Sequence, residues 1–491
     1  MAKAIDALIE GFKDSGIPVL EPKEPTYRDY EKAVVTSNLL FRFTRPPCVL
    51  KPESTEHVQK VVEQARLAKI PITIRCKGHS YAGHSTAIEK ETILVDLRSM
   101  NTVQLDMKSQ IVTVGAGCQW GEVYRHLIEG EYDGWVINGG RCPYVGVGGY
   151  ILGGGLAPFG RSFGMGSDTL LEATIVTTDG KIVVVSEQDP KGSDKGRLFW
   201  ALRGAGSGNF GMITQMKLRV LRLSTRAGGK VMGGRFNWAS GEIKKKADGT
   251  PKMDEQKAKD EQEATAQLLD TMNAFYRTEW PERLPWIADR RQYRDRRGWQ
   301  TIETAHLTGT FHTNREQITN NVDKITAMCK ERMTAFRNKF TGDSVQMDVT
   351  WIHAGGQAGK KMGPTESAFY WRDTVYHCYI EVLWKDKWME KAMRRFMWKL
   401  KKQFRPYSIQ GEAAHELRKI KEIWDKDNYF KWQQQVKLPK DVTEKGDDVD
   451  GINDEEDTDG IASKQWKPYV WKHHESEDAS ANLEALWDLE T

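Results

Sequence analysis

Two residues able to act as nucleophiles stand inside unusually bare backbone. His79 lies in CKGHSYAGHS (76–85) and Cys142 in GRCPYVGVGGYILGGG (140–155), a stretch holding seven glycines. An imidazole nitrogen and a thiolate attack electron-poor carbon, and glycine lets backbone approach a ligand where a Cβ would obstruct it. Taken singly, His79 reads as well as a loop histidine satisfied by backbone, and Cys142 as a buried structural thiol. Their coincidence in glycine loops of one region favours chemistry. The six cysteines, at 48, 76, 118, 142, 329 and 378, contain no CxxC pair and no His/Cys cluster with zinc spacing, so no metal is expected.

A third glycine segment, GAGSGNFG (204–211), raises the question of a nucleotide. A dinucleotide fingerprint needs a strand before it and a helix after it, so that phosphates meet a helix N-terminus. GAGSGNFG has the reverse order, and no GxxxxGK[ST] exists for a Walker site. The CKGHS loop follows a strand and can bind a pyrophosphate as an anion nest, with bare backbone at Gly78 and Gly83 and hydroxyls at Ser80 and Ser85.

The elements that must hold these loops follow from periodicity. After an amphipathic helix at about 3–13, Val49 and Leu50 begin a strand and Ser54 can cap a helix carrying Val58, Val61, Val62, Ala65 and Ala68 on one face. Strands are expected at 92–97 and 111–117, with a helix over Trp120–Glu129 leading into the Cys142 loop. Asp179-Gly180 predicts a type I′ hairpin turn. Beyond 228, strand-like KVMGGRF, TIETAHLTGTF, DVTWIH and TVYHCYIEVLW alternate with helices such as 254–277 and 386–403. Eight of the seventeen tryptophans fall between Trp280 and Trp398, suggesting an aromatic-rich sheet walling a pocket. SGEIKKKADGTPK reads as a surface insertion.

The chain of 491 residues can bury a large core. Its net charge of +4 implies no electrostatic partner, and RRQYRDRRGW (290–299) is too short and mixed for a nucleic-acid surface. No apolar run approaches the ~20 residues needed to cross a bilayer, and MAKAIDALIEGFKDSGIP lacks a signal peptide's apolar stretch; a cytoplasmic location is expected. The acidic TEKGDDVDGINDEEDTDG is read as disordered rather than as a calcium loop, because an EF-hand register would start on Gly446.

The blocks RCKGHSYAGHS, GRCPYVGVGGYILGGG, GAGSGNFGMIT and LRKIKEIWDKDNYFKWQQ (417–434) occur in this order, and over roughly residues 40–435 the chain resembles the berberine-bridge-enzyme-like branch of the vanillyl-alcohol-oxidase flavoproteins. The resemblance implies an α+β fold. It comprises a two-part FAD-binding domain of the PCMH type (40–224), an α/β substrate domain on an antiparallel sheet (225–410), a C-terminal segment returning to the FAD domain (411–435) and the acidic tail (436–491). It also implies FAD linked covalently through His79 and Cys142. His84 is a neighbouring competitor, but only His79 lies in the G-H-S-Y block. Further cofactor contacts are implied at Arg75, Lys77, Gly78, Ser80, Tyr81, Gly83 and Ser85; at Gly140, Val145, Gly146, Gly148, Gly149, Tyr150 and Gly153; and at Gly208, Asn209, Gly211, Ile213 and Asn428. Gly146, Gly148 and Gly149 are expected to let backbone lie against the flavin. Tyr150 departs from the histidine common among relatives, and no Tyr-x-Asn loop is recognisable around YSIQGEAAHE, so the family's catalytic tyrosine is not carried over.

A flavin takes a hydride from a C–H bond beside O or N while a base removes the hydroxyl or phenol proton. Alternation puts His377, Tyr379 and Glu381 on one face of TVYHCYIEVLW, and Thr304, His306 and Thr308 on one face of TIETAHLTGTF. Tyr379, Glu381 and His306 are the nominated bases. By resemblance Val145 is a gate that admits molecular oxygen, so the expected activity is an oxidase of a small alcohol, amine or phenol that releases hydrogen peroxide. The alternatives are an oligosaccharide oxidase and a flavoprotein that binds or cyclises its ligand without redox chemistry.

Overall fold

The computed structural model describes residues 2–36, 38–88, 91–223, 305–313, 315–340, 345–360, 366–408, 414–430, 432 and 435–441. The expected strand KVMGGRF, the helix at 254–277, the 290–299 patch, the insertion and nearly all of the acidic tail lie outside them. No helix among the described residues is long and apolar enough to cross a membrane.

Two sheets build the first half. β1 (Val19–Leu20), β2 (Val49–Leu50), β3 (Ile72–Arg75) and β4 (Ile93–Asp96) form one sheet in the order β1-β2-β4-β3, parallel except at its β1 edge. The second sheet runs β5-β6-β10-β8-β9, antiparallel throughout: β5 (Val103–Asp106), β6 (Ile111–Gly115), β8 (Leu170–Val176), β9 (Ile182–Ser186) and β10 (Met212–Arg222), with β7 (Trp135–Ile137) paired to the end of β10. The helix Thr55–Leu67 starts where Ser54 accepts the His57 amide, and it buries the expected Val58, Val61, Val62 and Ala65. The helix Trp120–Glu129 begins with Glu122 accepting the Gln119 amide.

The hairpin between β8 and β9 corrects one expectation. Gly180 has φ +78°, whereas Asp179 is not among the residues with positive φ, so the turn is not type I′. The Gly180 amide donates to Thr177 O, and the Thr177 amide to Lys181 O, which gives a longer loop with glycine at the left-handed position. The Thr177 hydroxyl also donates to the Asp179 carboxylate, stabilising this form.

A third sheet, in the order β11-β13-β12, joins β11 (Ala305–Thr313), β12 (Val345–His353) and β13 (Tyr376–Trp384) in antiparallel register. Cys378, Ile380, Val382 and Trp384 bury one face against the helices Arg315–Lys339 and Glu390–Phe404. The opposite face carries His377, Tyr379 and Glu381, as the period of two requires.

The helix Ala414–Trp424 and the chain after it pack on the first half, where Leu417, Ile420 and Phe430 enter its core. Lys421, fully buried, donates to Asn209 O, Phe430 O and Asp425 Oδ2, the last at 2.7 Å. Asp425 in turn accepts the amides of Tyr429 and Phe430. Burial pulls the Lys421 ammonium down and the Asp425 carboxyl up, and their mutual contact opposes both shifts.

Candidate functional site

His79 and Cys142 come from loops that touch. The His79 ring lies against the backbone of Tyr144, two residues past Cys142, and burial is the main cause of its lowered pKa. Cys142 is exposed, whereas Cys76 of the same loop pair is shielded and its thiol is pushed up by burial to about 11. His84 occupies a different setting. Its ring packs 3.9 Å from that of Trp432, and burial pushes its pKa down to about 4.

The glycines divide by what their missing side chains make room for. A Cβ at Gly146 would meet Cys76 Cβ and Lys77 N at 3.1 Å, and one at Gly148 would meet Cys76 Sγ at 2.9 Å. Their bareness lets the two loops pack, which differs from the expected role of clearing space for a flavin. Gly149 fits that role: it is exposed, and only Ser207 Oγ comes within 4.0 Å of its Cβ position.

Several sequence-nominated contacts are committed elsewhere. Arg75, 2% exposed, donates through Nε to Ser85 O and through Nη1 to Ala33 O and Val35 O, bracing the loop from behind. Asn209 is buried, its amide donating to Ala205 O and its Oδ1 accepting the Val436 amide. Gly211 is bare because Val176 O lies 2.5 Å from its Cβ position, and Ile213 is a core residue of β10. Lys77 pairs with Glu122 at 3.5 Å. The nest expected at 78–85 is partly consumed, since Ser80 O and Oγ accept the amides of Gly83 and His84. Positive φ at Gly78 and Gly83 shapes that turn, and Gly208 takes the same form at φ +73°.

Other buried polar atoms have no partner among the described residues: Ser85 Oγ, Tyr150 Oη, Asn428 Oδ1 and Trp432 Nε1. Unsatisfied buried groups cost ~1–3 kcal/mol each. Tyr150 is wedged edge-on to Trp120, with Gly140, Gly155 and Gly166 bare around its ring, and burial raises its phenol so that it stays a neutral donor. A donor and acceptor set of this kind, beside an exposed thiol and a neutral imidazole, fits FAD.

Residues 46–186 match the family model described as an FAD binding domain. Curated relatives include a reticuline oxidase from Eschscholzia californica, 32% identical over 178 residues, and a monolignol oxidoreductase from Arabidopsis thaliana, 36% identical over 180. A cannabidiolic acid synthase-like protein from Cannabis sativa is 34% identical over 177. Each match takes in 36% of this chain and 31–32% of the relative, so the chain aligns with about a third of their length. Residues 46–186 are an FAD binding domain. The likeness in fold extends further. A berberine-bridge-enzyme-like structure from Physcomitrella patens superposes with a TM-score of 0.63 at 19% identity, over 88% of this chain and 99% of that one. A 6-hydroxy-D-nicotine oxidase from Arthrobacter nicotinovorans superposes at 0.60, with 18% identity, over 84% and 96%.

Facing the FAD binding domain, the polar side of the third sheet closes a cavity of about 310 Å3 lined by Gly153, Leu156, Met165, Ile352, Phe369, Trp371, His312, His377, Cys378 and Tyr379. Tyr379, one of the nominated bases, is thus among the residues lining this cavity. Glu381 lies on the same face, where burial and Asp348 raise its carboxyl. It acts with Cys142 and Tyr379 on Tyr81, whose phenol is raised mainly by burial. His306 pairs with Leu383, at the opposite end of β11 from the His312–His377 pair and ~20 Å along the strand; its side chain lies outside the described residues.

The sequence reading missed His312. It is directly across from His377, and the two Nδ1 atoms are 2.9 Å apart. Its signal was the alternation of β11, which puts His312 on the face of His306 and Thr308. Burial pushes His312 down to about 4 and His377 to about 3, the second helped by its neighbour. A buried ion pair holds the near edge of this cavity, with Arg372 Nη2 and Nη1 contacting Asp168 at 2.6 and 2.7 Å.

Proposed function

We propose that the chain is an FAD-linked oxidase of a small alcohol, amine or phenol, with FAD tethered through both His79 and Cys142. The observation that carries this reading is the contact of the His79 ring with the Tyr144 backbone beside Cys142, on a surface that the polar face of the third sheet overlooks. When bound, FAD supplies the hydride acceptor and passes the electrons to molecular oxygen, giving hydrogen peroxide.

The residues present divide the remaining work. Ser85, Tyr150, Asn428 and Trp432 offer hydrogen-bonding atoms with no protein partner among the described residues, suited to the polar parts of the cofactor. Phe369, Trp371, Leu156 and Met165 exclude water and hold an apolar ring system. Tyr379 stands in the cavity wall to take or relay a substrate proton, with Glu381 behind it. Val145, half-buried beside Cys142, lies where a side chain could govern the approach of oxygen.

The reading is tested by precipitating the purified protein with acid and assaying peroxide during turnover of candidate alcohols, amines and phenols. A yellow pellet and peroxide are expected. A colourless pellet under a yellow supernatant overturns the covalent tethers, and a protein bleached by substrate that stays bleached in air overturns the oxidase.

A further inference from the structure

Two histidines bonded through their Nδ1 atoms are constrained in how they hold protons. One Nδ1 must carry hydrogen and the other must accept it, so the pair as a whole offers one Nε2 lone pair and one Nε2–H. Among the described residues the contact between the rings is the only hydrogen bond either ring makes, and both rings line the cavity. His312 packs against Trp371, with ring centroids 4.6 Å apart and planes tilted by 32°, and its amide donates to Ser408 Oγ. His377 rests near Phe369. The rest of the wall is largely apolar, so the dyad is its main polar feature besides Tyr379.

We infer that His312 and His377 together form the seat of a substrate hydroxyl on an aromatic compound, and that they carry its proton away as a neutral relay. The hydroxyl hydrogen is accepted at the free Nε2 of one ring. That ring's Nδ1 hydrogen crosses to the other Nδ1, and the second ring passes its Nε2 hydrogen to water. One proton enters and one leaves; the pair ends in the mirror tautomer with no net charge. Burial makes this route preferable to simple protonation, because a desolvated imidazolium is disfavoured at both positions. The aromatic walls select a flat ring to carry the hydroxyl.

The inference rests on the FAD-linked reading, but its test is separable from it. The probes are 4-nitrophenol and its methyl ether, 4-nitroanisole, which share the nitroaryl ring and differ in whether the oxygen carries hydrogen or methyl. They are titrated into the flavin-loaded protein, and its flavin absorbance is recorded first. The phenol is expected to bind at least about tenfold tighter than the ether, and His312→Phe or His377→Phe should abolish that preference. Spectra of the unsubstituted protein labelled with 15N-histidine need no variant. They should show one ring protonated at Nδ1 and its partner at Nε2, both neutral at pH 7 and perturbed by the phenol but not by the ether. Equal binding of the two probes, a preference that survives in both variants, or a charged pair overturns the relay. A protein that carries no flavin overturns the FAD reading instead, whatever the probes do.

Discussion

Arg372 and Asp168 meet in a buried, two-pronged ion pair that joins the approach to β13 to the FAD binding domain. The guanidinium uses both terminal nitrogens on the carboxylate, and it also donates to Ser367 Oγ at 2.6 Å and Ala358 O at 3.2 Å. Asp168 Oδ2 accepts the Met165 amide as well, and Met165 lines the cavity. The pair therefore fixes the distance between the two walls.

Removing one partner leaves the other charge buried alone, at a cost of ~3–5 kcal/mol. Arg372→Ala is expected to destabilise the fold by about that amount in denaturant titrations. The double change Arg372→Met with Asp168→Leu should recover most of the loss. Equal stability of Arg372→Ala and the unsubstituted chain would mean that the pair contributes nothing.

Two tethers predict a distinctive pattern of colour. His79→Ala and Cys142→Ala should each yield an acid pellet that is still yellow, and the double variant should release all its flavin to the supernatant. His84→Ala should keep both links, because His84 packs on Trp432 instead of reaching the Cys142 loop. A singly substituted protein that loses all its flavin counts against the second attachment point.

Val145→Ile adds one methylene beside Cys142, in a side chain already packed against the first core. Stopped-flow measurements should show bleaching by substrate changed little and recolouring by oxygen slowed about tenfold, ~1.4 kcal/mol of added barrier. Equal slowing of both phases would mark Val145 as a shaper of the whole site, and no slowing would remove it as a gate.

Stability should depend on pH through the buried histidines. His84, His312 and His377 have folded pKa values of about 4, about 4 and about 3, below the ordinary 6.5. Lowered values mean that the unfolded chain binds protons first as pH falls. Their contribution is complete above about pH 7 and is lost as pH falls from about 6.5 through 4 and 3. Thermal scans between pH 7.5 and 4.5 should show a falling midpoint, and His312→Phe should flatten the slope. An unchanged slope would assign the acid sensitivity to other groups.

Much of this was legible in local pattern. The cap at Ser54, the helix Trp120–Glu129 and the two faces of β13 all follow from spacing within a few residues. What escaped was set by register or by distant partners. His312 and His377 lie 65 residues apart, and nothing in either stretch announces the pairing that sets them side by side. Arg75 looked like a cofactor contact because it adjoins the loop, yet its donors are taken by carbonyls of residues 33, 35 and 85. Asp179-Gly180 promised a two-residue turn, but a threonine hydroxyl three residues before the glycine, bonded to the Asp179 carboxylate, goes with a longer loop.

The Lys421 clamp gives the order of synthesis a structural meaning. A ribosome that has completed residue 223 has made every strand of the first two sheets, but not Leu417, Ile420 or Phe430, which close their core. Nor has it made the Trp432 ring that covers His84, or the tyrosine whose hydroxyl donates to Ile70 O. The early half must wait, incompletely packed, until the late segment emerges and Lys421 reaches the carbonyl of Asn209. A chain stopped short of residue 417 would thus expose an unfinished apolar surface, the feature by which quality-control proteases recognise incomplete products.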